Sequence, residues 1–100
     1  MNKMLSTTEF KTADDIDRIL AKRLKDIRKR KKLSQEDLAY KSGVSLGSLK
    51  RFESTGKISL LSFTKLAKVL GYSDDIEDLF TEPRYESIEE VINERKQETT

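Results

Sequence analysis

Apolar residues Ile16, Ile19, Leu20, Leu24 and Ile27 recur at steps of three and four, the period of a helix that buries one side. The spacing predicts one amphipathic helix over residues 14–31, capped at its start by Thr12 or Asp14. A second helix is predicted from an N-cap at Ser34 to about Ser42, with Leu38 and Ala39 inward and Gly43 where a left-handed closing residue is cheapest. Ser45 caps a third through about Glu53, burying Leu49 and Phe52 with Val44 just outside, and Gly56 stops it. Two more follow over about 59–70 (Leu60, Phe63, Leu66, Ala67, Leu70) and 75–80 (Ile76, Leu79, Phe80). Pro83 interrupts the chain. Ser87 with Glu90 then has the form of a capping box ahead of Ile88, Val91 and Ile92, so a short sixth helix is expected, fraying over residues 94–100. With no strand-like alternation and no internal repeat, the pattern is that of an all-α fold.

Composition narrows the class. In 100 residues, 35% are apolar and 38% charged, with seven aromatics and one proline; this fits a small helical domain with a modest core. The absence of cysteine rules out disulfides and thiolate metal sites. No apolar run approaches the roughly 20 residues of a membrane span, and no basic-then-apolar leader is evident, so a cytoplasmic location is expected. The net charge of +2 conceals a segregation. Residues 22–71 carry 14 basic and four acidic side chains, while residues 72–100 carry three basic and ten acidic. A centre of net +10 attracts polyanions, nucleic acid first among them, although an ordinary solvated lysine-rich face has the same composition. On these grounds the chain divides into an N-terminal extension (1–13), a helical domain (14–81) and an acidic tail with a short helix (82–100).

The stretch "LSQEDLAYKSGVSLGSLKRFE", residues 33–53, joins two short helices through a glycine turn and leaves polar and basic groups outward on the second. This is the helix-turn-helix pattern. The second helix presents its outer face to base edges in a major groove about 12 Å wide while the first lies across the backbone. Ala39 is expected at the close crossing of the two helices and Gly43 at the fold-back, where larger side chains would force them apart.

Residues 22–71 resemble the lambda-repressor and Cro (XRE) family of five-helix DNA-binding domains through the ordered set "LSQEDLA", "SGVS", "LKRFE", "TGKIS" and "LAKVLG". The resemblance implies that Ser45, Leu46, Gly47, Lys50 and Arg51 face the groove, that Gln35 and Lys57 meet phosphates, and that Arg28 and Glu53 form a partly buried ion pair; Lys32, in the basic run "RKRKK" over residues 28–32, either touches a phosphate from the loop after the first helix or belongs to a solvated basic patch. Gln35 would sit at a helix N-terminus, where free N–H groups and the dipole favour an anion. Arg51 can fork onto guanine O6 and N7, and Lys50 can reach a base or a phosphate. Leu46 and Gly47 depart from the polar residues usual at their positions; Leu46 can touch a thymine methyl, and Gly47 costs roughly 1 kcal/mol of helix propensity. Ser45 also serves as an N-cap.

The phrase "SLGSLKRFESTGKISLLSF", followed by "DDIEDLF" and "YESIEEVI", further resembles HipB-type antitoxins. That branch implies a homodimeric repressor of its own operon that binds a HipA-type kinase toxin. A free-standing repressor, and an interaction module that has lost DNA binding, are the alternatives. No enzyme activity, cofactor or metal is expected: there is no His, Cys or glycine-rich phosphate loop, and Asp74, Asp75 and Asp78 lack the spacing of a calcium loop.

Overall fold

The computed structural model describes residues 10–84, 89 and 92–95. Among them the fold is all-α: α1 (Ala13–Arg30), α2 (Gln35–Ser42), α3 (Leu46–Thr55), α4 (Leu60–Val69) and α5 (Ser73–Glu77). Local chemistry sets most boundaries. Thr12 caps α1, its hydroxyl accepting from Asp15 N–H while the Asp15 carboxylate accepts from Thr12 N–H. Ser34 and Asp37 form the same reciprocal box on α2, and single serine caps at Ser45 and Ser59 open α3 and α4. Gly43 and Gly56 close α2 and α3 in the left-handed region, at φ 77° and 82°.

The close of α1 is different. Lys32 takes the left-handed position at φ 60°, with Lys32 N–H donating to the Lys29 carbonyl at 2.9 Å and Leu33 N–H to that of Arg28 at 3.1 Å. This paired closure favours glycine. Lys32→Gly is therefore expected to raise stability by about 0.5 to 1 kcal/mol, read as a higher urea midpoint at unchanged slope.

The core joins Ala21 and Leu24 of α1, Leu38 and Ala39 of α2, Val44 of the turn, Leu49 and Phe52 of α3, Leu66 of α4 and Leu70 at its C-cap. Phe52 and Phe63 meet edge to face with ring centres 5.9 Å apart, a geometry aromatic rings prefer. By contact, α1 packs on α3, α3 on α2, α2 on α4 and α4 on α5.

Four residues that the periodicity sends inward lie exposed: Ile16, Leu60, Leu79 and Phe80. Ile16 and Leu60 stand in the first turns of their helices. For Leu79 and Phe80 the cause is the shortness of α5, which ends at Glu77 instead of continuing to residue 80; Phe80 then enters the left-handed region at φ 64°. Gly43 needs correction as well. A Cβ built there meets nothing within 4 Å, so its requirement is conformational and not one of space. Of the expected sixth helix, Ser87, Ile88, Glu90 and Val91 lie outside the described residues; Ile92 is helical and exposed.

Candidate nucleic-acid interface

Helix α3 has two sides. Leu49 and Phe52 are buried, while Gly47, Lys50, Arg51 and Ser54, at helical spacing, are all exposed. Leu46 is half-buried and packs against the core, so among the five residues expected at the groove it is turned partly inward. Ser45 is exposed but occupied: its hydroxyl oxygen accepts from Ser48 N–H at 3.1 Å and its O–H donates to Ser48 Oγ at 2.9 Å. The outward stripe therefore consists of Gly47, Lys50, Arg51 and Ser54. Ser54 was readable from the sequence as the residue two turns along from Gly47, one turn beyond Lys50 and Arg51. No acidic residue occupies the first turn of α3, whereas α1 and α2 each carry two there, so the positive end of the α3 dipole stays uncompensated by its own side chains.

What holds this stripe in place is a buried polar junction. Arg28 Nε donates to Glu53 Oε2 at 2.7 Å and Nη2 to Oε1 at 3.0 Å, while Nη1 donates to the Leu33 carbonyl at 2.8 Å. The two charged side chains are only 8% and 5% exposed. Gln35 Nε2 adds a bond to Glu53 Oε1 at 2.9 Å. The Glu53 carboxylate thus ties α3 to α1 and to the first residue of α2, and the Arg28 guanidinium carries the link on to the turn before α2. No buried side-chain nitrogen or oxygen among the described residues lacks a partner. The amide of Gln35 faces this junction, and one of its two amide hydrogens is engaged there, at the first turn of α2.

Around this junction the cations are exposed. Lys32 leaves the α1 turn on a left-handed backbone. Lys57 follows α3 and donates to Asp14 Oδ1 at 3.2 Å; Arg18 Nε reaches Asp14 Oδ2 at 2.9 Å, and Arg18 Nη1 the Ser54 carbonyl at 3.4 Å. Hydrogen bonds from Arg18 first, then Lys57, hold the Asp14 carboxyl below its usual range. The Lys22 ammonium does the same for Asp26. At Asp37 the cause is the Ser34 backbone N–H, followed by its hydroxyl. The Asp14 bridge to Lys57 spans 43 residues of sequence and is invisible to local patterning.

No group of His, Cys, Asp and Glu able to hold a metal occurs among the described residues, and no helix there is long and apolar enough to cross a membrane. A short helix carried across another, with a basic outward stripe and exposed cations at its flanks, defines a helix-turn-helix DNA-binding protein. The helix-turn-helix family model matches residues 24–76, and the chain belongs to that XRE-type family of DNA-binding transcription regulators. No curated protein and no solved structure gives a significant match.

Proposed function

We propose that the chain is a sequence-specific repressor that binds duplex DNA as a homodimer, each copy laying α3 in a major groove. The observation that carries this reading is the exposed stripe of Gly47, Lys50, Arg51 and Ser54 opposite the buried Leu49 and Phe52. A helix of about 10–12 Å diameter fits the groove. Arg51 is assigned to a guanine edge, Lys50 to a base or phosphate, and Ser45 and Leu46 to the entry of the helix. The absence of a side chain at Gly47 lets the backbone approach the bases. Gln35, Lys32 and Lys57 are assigned to phosphates; Lys57 would exchange its exposed partner Asp14 for a phosphate oxygen. One module reads only a few base pairs, so two copies on half-sites about 34 Å apart supply the rest.

Binding to the DNA upstream of its own gene should weaken steeply with salt. Arg51→Ala is expected to cost about 1 to 3 kcal/mol of binding and to relax preference at one base pair, whereas Lys57→Ala should weaken all sequences alike and lower the salt slope by about one. Titrations on the operator and on a scrambled duplex separate the two, and identical behaviour of both variants would refute the division of roles. Salt-insensitive or absent binding would favour an interaction module. The antitoxin role rests on the HipB-like phrase around α3 and α4; co-purification with the product of the adjacent gene tests it, and a lone regulator gene would favour the free-standing repressor.

A further inference from the structure

At the C-terminal end of α3 two cations share one carboxylate. Asp14 divides its oxygens between them: Lys57 Nζ donates to Oδ1 at 3.2 Å and Arg18 Nε to Oδ2 at 2.9 Å. Arg18 Nη1 also reaches the carbonyl of Ser54 at 3.4 Å, and Ser54 is the last member of the outward stripe. The turn that carries Lys57 is pinned to the recognition helix, because Lys57 N–H donates to Thr55 Oγ1 at 3.1 Å and the Thr55 hydroxyl donates to the Arg51 carbonyl at 2.7 Å. From the other side, the α1 backbone at Asp17 and Arg18 lies directly against Gly56. Both cations are thereby set in register with Arg51, the residue assigned to a base.

We propose that Arg18 and Lys57 form a clamp for one backbone phosphate of the bound duplex, and that Asp14 fills this clamp before DNA arrives, its two carboxylate oxygens standing where two phosphate oxygens will bind. The inference deepens the proposed function and rests on its reading of α3 as the groove helix; it adds Arg18, to which that reading gives no role, and makes Asp14 a brake on binding. Three observations support it. α3 has no basic residue in its last turn, so the negative end of its dipole repels a phosphate unless Arg18 and Lys57 reverse the sign. Asp15, and not Asp14, completes the cap of α1, which leaves the Asp14 carboxylate to the two cations. Among the described residues the Arg18, Lys57 and Asp14 side chains are 55%, 56% and 46% exposed; ion pairs this open add little to stability and give way readily to a competing anion.

The test compares the full chain with Asp14→Asn, Arg18→Gln and, as a control, Asp26→Asn, which releases Lys22 from a pair of the same kind about 18 Å along α1, beyond the roughly 10 Å reach of surface charge in 0.1 M salt. Gel retardation on the upstream duplex and on a scrambled one is repeated over a salt series, with thermal melts to confirm that each variant folds. Asp14→Asn should tighten both duplexes about three- to tenfold and steepen the salt slope by about one, and Arg18→Gln should weaken both by a like factor and lower the slope by about one. Asp26→Asn should stay within about twofold of the wild type. If the cluster serves only to brace α3 on α1, Asp14→Asn loses stability and gains no affinity. That result, an Arg18→Gln form that binds like the wild type, or an equal gain from Asp26→Asn overturns the clamp and leaves the DNA reading standing. If no form retards either duplex, calorimetric titration with inorganic tripolyphosphate decides: tighter binding by Asp14→Asn and weaker by Arg18→Gln keeps the phosphate clamp while the DNA reading falls, and equal binding by all forms overturns both.

Discussion

Glu53→Ala is expected to destabilise the fold by about 3 to 5 kcal/mol, because it leaves the buried Arg28 guanidinium without its counter-charge. At 8% and 5% exposure neither side chain can turn to water for compensation. The loss extends beyond the pair: Gln35 Nε2 loses its acceptor too, and Arg28 Nη1, which holds the Leu33 carbonyl, loses the carboxylate that fixes its guanidinium. Urea unfolding gives the number, and a change below about 1 kcal/mol would show that the pair is far better solvated than its burial indicates. Replacing both partners by apolar residues of like volume, Arg28→Met with Glu53→Leu, should recover most of the loss, since the charges offset each other's desolvation and add little beyond that.

The second large effect is expected at Gly56. Its φ of 82° disfavours any other residue, and a Cβ there stands 3.0 Å from the Arg18 nitrogen and 3.0 Å from the Asp17 carbonyl carbon, both backbone atoms of α1. Those atoms cannot swing aside. Gly56→Ala therefore combines a left-handed cost of about 1 to 2 kcal/mol with overpacking of about 1 to 3, for a loss of about 2 to 5 kcal/mol. Gly43→Ala isolates the first cause, because its φ of 77° is similar but the added carbon meets open space; about 1 to 2 kcal/mol is expected there. Thermal unfolding of the two variants side by side separates conformation from space, and equal losses would refute the close approach of α3's end to α1.

Much of this architecture was legible because its determinants are local. Ser34 and Ser45 announce the helices they cap, and the spacing of Leu38, Leu49, Phe52 and Leu66 marks the faces that become the core. What stayed hidden depends on partners distant in sequence. Periodicity sends Leu60, Leu79 and Phe80 inward because it counts steps along a helix; it carries no information on where the next element ends, and α5 stops at Glu77. Gly56 reads only as a helix stop, since its other constraint comes from α1 some 40 residues earlier. At the candidate interface the composition of α3's outward stripe was readable. The engagement of Gln35 with Glu53 and of Lys57 with Asp14, and the partial burial of Leu46, were set by tertiary packing.

The division of α3 into an anchored side and a free side bears on how such a molecule can diverge. Single changes at Arg28 or Glu53 pass through a badly weakened ancestor, so that pair can be replaced only by near-simultaneous substitution. Lys50, Arg51 and Ser54 project into solvent, where exchanges usually alter stability by no more than about 0.5 kcal/mol. Descendants of this chain can therefore acquire new target sequences one residue at a time on an unchanged frame.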